Sequence, residues 1–214
     1  SENGLKKEPV AQILGDRAKK KWRNSADRFL ECDEVEKIKE REGYEGLFHL
    51  IEQTPVIYLK AFGPICEVTA ESYSFVKPSK NIEEKGAYLF QELTGQCVGV
   101  HVRRTDHTEA IANSPLALFA ERMKKELETA ADISFFVATD DKEVRRELKE
   151  LLPDAKLIFP QSDVIDRDSK EGIEEAFIEM LALSKCRKIL GSYNSTFSLL
   201  PSYIGNIPLE TVHK

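Results

Sequence analysis

The sequence predicts an α/β fold, a doubly wound parallel sheet over residues 96–214 preceded by a mainly helical extension over residues 1–95. Three observations predict it. From residue 96 onward, short β-rich runs alternate with amphipathic helical stretches, the pattern that crossover helices impose on a parallel sheet. Polar and charged clusters follow three of those runs, where ligands bind in open α/β sheets. At 214 residues, 41% hydrophobic and 32% charged, the chain can bury one good core, or one domain plus a helical extension.

The first strand, residues 97–103, is an alternating run. Val98, Val100 and Val102 share one face, and Gly99, His101 and Arg103 share the other. Ser114 as N-cap and Pro115 as the first helical residue open the next helix, which carries Leu116, Phe119, Ala120, Met123 and Leu127 on one face. The second strand, residues 133–138, runs into Asp140 and Asp141, one of which caps a helix bearing Val144, Leu148 and Leu151 and ending before Pro153. A third strand spans residues 156–159. The helix that follows, about residues 172–186, is expected to bury Ile173, Phe177, Met180, Leu181 and Ser184. Strands at residues 188–191 and 207–212 complete the sheet. The first 95 residues read as two or three helices, highly charged from Lys6 to Arg41, with a lysine run at residues 19–21; residues 56–62 and 73–76 add candidate short strands.

A net charge of −6 and a pI near 5.4 argue against a nucleic-acid surface, which needs a basic stripe. No apolar run approaches the roughly 20 residues that span a bilayer, and no charged-then-apolar leader opens the chain, so a soluble protein with no transmembrane segment is expected. Cys32, Cys66, Cys97 and Cys186 are scattered without metal-ligand or redox spacing, and read as reduced thiols, mostly buried. No metal site is expected, and nothing sets an oligomeric state. The first residue is Ser1 rather than Met, and the expectation is a processed or excised piece of something longer.

Three constellations carry chemistry. In His101-Val-Arg-Arg-Thr-Asp106, guanidinium groups suit bidentate phosphate binding, and the inward face of a Val/Gly run is a costly place for unpaired charge. The plainer alternative is an ion pair between an arginine and Asp106. In Phe136-Val-Ala-Thr-Asp-Asp141, one carboxylate caps a helix and the other is available to orient an arginine. Gly191-Ser-Tyr-Asn-Ser-Thr-Phe-Ser198 leads from a strand into a helix N-terminus, where backbone N–H groups suit an anion. All three fall at carboxyl ends of strands of one sheet. There is no GxGxxG after the first strand, and no GxxxxGK[ST], GxSxG or HExxH, which disfavours dinucleotide oxidoreductases, P-loop NTPases, α/β-hydrolases and zincins.

These three segments, with Leu183-Ser-Lys-Cys186 ahead of the last, resemble the successive motifs of the GDP-fucose-dependent fucosyltransferase superfamily of α1,2-, α1,6- and protein-O-fucosyltransferases. The resemblance covers residues 96–212, in order and spacing, and implies a Rossmann-like domain, the C-terminal, donor-binding half of a GT-B glycosyltransferase. It further implies that Arg103 grips the β-phosphate of GDP-fucose, supported by Arg104, while Asp106 and Asp140 hold the arginines. His101 and Glu179 would read guanine, although the family more often carries Asp at the latter position; the plainer alternative places Glu179 on a solvated helix face. Ser195 and Thr196 would meet the diphosphate. Glu109 resembles a carboxylate proposed as general base in the α1,6 group, with His107 as a competing base. The implied reaction is inverting, metal-independent transfer of fucose from GDP-fucose to a hydroxyl of a glycan acceptor.

The glycine-rich N-terminal segment of the α1,2 group is absent, and residues 1–95 are too few for a full half-domain. Two other readings stay open: a non-catalytic nucleotide-sugar sensor, and an interaction module whose motif residues form internal ion pairs. Asn194-Ser-Thr196 is an N-glycosylation sequon inside the expected diphosphate loop, which leans the expectation towards a bacterial cytoplasmic protein over the secretory lumen.

Overall fold

Alternation along residues 98–102 does what alternation should: Val98, Val100 and Val102 are buried on one side of a five-stranded parallel sheet, and His101 on the other. The computed structural model describes residues 24–61, 63–93, 95–130, 132–162, 166 and 168–214. The lysine run at residues 19–21 and the charged residues before it lie outside the described residues.

The chain divides into two compact units, Ser1–Val68 and Thr69–Lys214. The first contains a strand not foreseen from sequence, β1 (Arg28–Leu30), paired in parallel with β2 (Ile57–Leu59). Between them runs helix α1 (Cys32–Gln53), kinked at Gly43, whose φ of 68° is left-handed backbone that favours glycine. Leu30, Val35 and Leu47 form its small core.

In the second unit a 3₁₀ turn (Ala70–Tyr73) stands where residues 73–76 read as a strand; no strand forms there. Next come α2 (Lys80–Glu92), β3 (Val98–Val102), the short α3 (Thr108–Asn113), α4 (Leu116–Thr129), β4 (Ser134–Thr139), α5 (Lys142–Leu151), β5 (Lys156–Ile158), α6 (Lys170–Ser184), β6 (Lys188–Ser192), α7 (Thr196–Gly205) and β7 (Leu209–Val212). Helix α2, assigned from sequence to the extension, belongs to this unit: Ile82 and Leu89 pack with Ile178 and Leu183 of α6, and Lys85 pairs with Glu174.

The strand order is β5-β4-β3-β6-β7, all parallel. Helices α4 and α5 cover one face, with Phe119, Met123, Val144 and Leu148 against Val100, Phe135 and Val137. Helices α2 and α6 cover the other, against Phe136, Ala138 and Ile189. The chain winds outward from β3 to β5 and then crosses back to β6 on the opposite side of β3, so the order reverses between β3 and β6. A doubly wound sheet opens its ligand crevice at that reversal, beyond the carboxyl ends of the two strands.

Three local expectations are corrected. Ser114 does not cap α4; Pro115 holds the cap position, and the Ser114 hydroxyl instead donates to the Val212 carbonyl and accepts from Tyr193 N–H (2.8 Å), tying loops together. Ile173 is 59% exposed because the buried stripe of α6 is Ile178, Leu181 and Ala182, and a residue five positions before Ile178 lies well off that stripe. Leu151 is 42% exposed because the chain leaves α5 there and Leu152 turns in to take its place.

Candidate functional site

The crevice at the β3–β6 reversal is framed by the first and third motifs. Beyond His101↔Gly191, the last paired residues of these strands, the Ser192 hydroxyl accepts from Arg103 N–H (2.9 Å) and donates to the His101 carbonyl (3.1 Å). The two loops therefore leave the sheet side by side.

The Arg103 guanidinium is held by Asp106 through Nε to Oδ1 (3.0 Å) and Nη2 to Oδ2 (2.9 Å). The ion pair allowed by the sequence as the plainer alternative is thus present, yet it does not exhaust the arginine. A guanidinium has five N–H groups and Asp106 takes two, which leaves three in a fixed fork. With the side chain 22% exposed, Arg103 is pre-oriented at the crevice and partly shielded from water.

Asp141 is the cap of α5, accepting from Glu143 N–H (2.9 Å). Its neighbour Asp140 accepts from Arg104 N–H (2.6 Å), Thr105 N–H (3.3 Å) and the Thr105 hydroxyl (2.8 Å). Asp140 thus holds the arginine loop in place through the backbone of Arg104 and Thr105, beside the hold of Asp106 on the Arg103 side chain. The reason is reach: β4 lies directly beside β3, and a short Asp side chain at its end meets the neighbouring main chain.

Histidine 101, 4% exposed, bonds through Nδ1 to the Ser198 hydroxyl (2.7 Å) and packs its ring 4.9 Å from that of Phe197. Gly191 makes this possible: a Cβ there would lie 2.5 Å from the Ser198 Cβ, so only glycine lets the first turn of α7 approach β6 so closely. Asn194 turns the chain with φ 49°, and Ser195 and Thr196 start the helix. Thr196 is exposed. Ser195 is buried and its hydroxyl has no hydrogen-bond partner, although it occupies the N-cap position where such a hydroxyl ordinarily caps the helix. An orphaned buried hydroxyl costs about 1–3 kcal/mol unless a ligand supplies its partner.

Glu179 does not lie on a solvated face. It is half-buried on α6, and burial pushes its carboxyl up to about 7; the Arg145 cation opposes that rise, while Glu175 and Asp140 reinforce it. Arg145, on α5, was not singled out by sequence and no local pattern marks it; it stacks over Phe159 and donates to the Pro160 and Ser162 carbonyls. Ser192 and Ser198 lie inside the quoted third motif, but only the paired strands show which partners they serve.

The two base candidates differ. Glu109 is exposed on α3. His107 is the cap of α3, its Nδ1 accepting from Ala110 N–H (3.0 Å), so the lone pair a base needs is engaged on that nitrogen. Among the described residues no cluster of three or more His, Cys, Asp or Glu side chains is arranged to hold a metal ion, and no helix is long and apolar enough to cross a membrane.

No protein-family model matches the sequence, and no curated protein resembles it at the level of sequence. Solved structures do resemble it. The chain superposes on POFUT1 in complex with GDP at a TM-score of 0.50, 16% identity, over 73% of this chain and 55% of that one. It superposes on the Bradyrhizobium NodZ α-1,6-fucosyltransferase co-crystallized with GDP at a TM-score of 0.50, 21% identity, over 79% of this chain and 58% of that one. The fold is fucosyltransferase-like. The chain spans less than two thirds of the length of either protein.

The Glu179 environment has a consequence for stability. A carboxyl whose folded pKa is raised favours the folded state while protonated, so stability falls as pH climbs from about 4.5 to about 7 and is level above that. Glu179→Gln should therefore match the parent near pH 4.5 and exceed it by about 1–2 kcal/mol at pH 8, read from denaturant melts at both pH values. An equal effect at both would mean that the carboxyl is not desolvated.

Proposed function

We propose that this chain is the donor-binding half of a GT-B glycosyltransferase, taking GDP-fucose and transferring fucose with inversion to a hydroxyl of a glycan. The observation that carries this reading is the pairing of a shielded, pre-oriented Arg103 with the orphaned Ser195 hydroxyl across two loops that leave the sheet side by side. A diphosphate supplies what both lack: acceptor oxygens.

In this reading Arg103, Ser195 and Thr196 hold the diphosphate, and His101 and Glu179 read the guanine. Asp106 fixes the Arg103 fork, and Asp140 fixes the Arg104 backbone. The acceptor oxygen attacks the anomeric carbon; the bond from that carbon to the β-phosphate oxygen breaks, its electron pair leaves with GDP, and the hydroxyl proton passes to a base, which we assign to Glu109. Negative charge grows on the β-phosphate as the bond breaks, so a guanidinium already in place stabilises the transition state more than the ground state, without a metal ion. A glycan on Asn194, exposed next to Ser195, would stand over the diphosphate loop, which favours a bacterial cytoplasmic setting.

Calorimetric titration with GDP, GDP-fucose, ADP and UDP, without added metal, tests the reading. Selective guanine binding is expected; no binding of any of them would overturn it. Guanine N1–H and its amino group need an ionised Glu179 as acceptor, so the preference for GDP over ADP should rise with pH and level off above about 7. Ser195→Ala should weaken GDP by about tenfold while leaving stability unchanged or higher, because the orphaned hydroxyl is removed. Lost stability would mean that Ser195 serves the fold.

The chain's span of 55–58% of its solved neighbours favours one second reading, a donor-binding module that does not turn over by itself. Hydrolysis of GDP-fucose distinguishes the two: release of free fucose marks a working catalytic centre, and binding without release marks the module.

A further inference from the structure

We propose that Cys97 and Cys186 are a modification site, a dithiol that peroxide converts into a disulfide joining β3 to the end of α6. The site lies at the amino edge of the sheet, opposite the crevice, and is independent of the nucleotide reading.

The two cysteines stand 89 positions apart, with no spacing in the sequence that marks a redox pair. The fold brings them together. Cys97 is the residue before β3, and Cys186 follows the turn that ends α6. Arg187 N–H donates to the Cys97 carbonyl (2.8 Å), which extends the β3–β6 ladder one step beyond Val98↔Lys188. Main chains in a ladder run about 4.8 Å apart, inside the span that a disulfide bridges, so closure asks for side-chain rotation and leaves the backbone in place. The two Sγ atoms are 4.0 Å apart. Gly99 makes the room: a Cβ there would lie 2.9 Å from Leu183 Cδ2 and 3.4 Å from Cys186 Sγ, so its absence lets the end of α6 close on β3.

The thiols are not equivalent. The hydrogen bond between them holds Cys97 below the ordinary thiol range, with the Ser134 hydroxyl and the Lys156 cation acting in the same sense against burial, and that bond together with burial pushes Cys186 up. Cys97 is therefore the nucleophile and Cys186 the resolving thiol. The Cys97 thiolate attacks one peroxide oxygen; an S–O bond forms, the O–O bond breaks, and the departing hydroxide takes up the proton that Cys97 released. Cys186 sulfur then attacks Cys97 sulfur; the S–S bond forms, the S–O bond breaks, and the second hydroxide leaves as water with the Cys186 proton. Two thiols are oxidised and one peroxide is reduced to two waters. Both thiols are buried, yet each adjoins an exposed residue, Gln96 or Lys185, so the pair sits just beneath the surface, within reach of a molecule as small as hydrogen peroxide. The resulting bridge closes a long loop, and the stabilisation a disulfide gives grows with the loop it closes.

The test uses the full chain carrying Cys66→Ser, which removes the exposed cysteine and with it bridging between molecules. It is treated with hydrogen peroxide under native conditions, unfolded, alkylated with N-ethylmaleimide and mapped by mass spectrometry. The expected product is a peptide pair linked through Cys97 and Cys186 and lighter by two hydrogens, with Cys32 alkylated. The oxidised protein should melt about 5–15 °C above the reduced one, and dithiothreitol should reverse the shift. Cys186→Ser should lose both the link and the shift; because oxidised and reduced forms of one chain are compared, the proposal is decided even where that variant folds poorly. Alkylation of both Cys97 and Cys186 after peroxide would overturn the proposal, as would a link from either to Cys32. A linked protein that melts no higher than the reduced one would overturn it too, by showing a bridge that the native backbone does not accommodate.

Discussion

Arg103→Ala should reduce GDP affinity by at least tenfold to a hundredfold, about 1.5–3 kcal/mol, while leaving the folded state in place. The size follows from what is lost, a charge-assisted fork aimed at a diphosphate. The small effect on stability follows from its partner, since Asp106 is half-exposed and water replaces the ion pair at little cost. Calorimetry and a thermal melt on the same variant separate the two quantities. Arg103→Lys sharpens the test, because it keeps the charge and loses the planar fork; an intermediate affinity is expected. Unchanged GDP affinity in Arg103→Ala would remove the phosphate role from the first motif and leave its ion pair as structure alone.

Gly191→Ala should act on fold and site together. Its new Cβ would stand 2.5 Å from Ser198 Cβ, 2.6 Å from Ser198 Oγ and 2.8 Å from Leu209 Cδ1, in a layer where β6, β7 and α7 all meet. Helix α7 must retreat. Overpacking of this kind costs about 1–3 kcal/mol. The retreat also parts Ser198 from His101 and shifts Ser195, so guanine binding should fall well beyond what the loss of stability alone would produce. A variant with a lowered melting temperature but parental GDP affinity would show that the first turn of α7 is not part of the ligand site.

Much of the fold was legible in the sequence for local reasons. The five sheet strands were marked by alternation or by short apolar runs, and those signals need only neighbours along the chain. The Asp pair after β4 announced a helix cap for the same reason, and Asp141 fills it. Where helical faces were misread, the competing influence was not local. Ile173 belongs to an apolar pattern in sequence, but the stripe that α6 buries is chosen by the sheet and by α2. Strand β1 is three residues long and gains its meaning from pairing with β2, twenty-nine positions away in register at Arg28↔Ile57.

By itself, then, the sequence determined the class of fold, the order of its strands along the chain, and the residue types gathered at three strand ends. It could do so because alternation, capping and charge are properties of short stretches. Only the tertiary structure decided that Asp140 holds a backbone while Asp106 holds a guanidinium, that the Ser195 hydroxyl is orphaned, that Arg145 stands near Glu179, and that Ser198 bonds the histidine. Each of these is a choice among partners distant in sequence, made by the β5-β4-β3-β6-β7 order and by how closely one glycine lets a helix approach a strand.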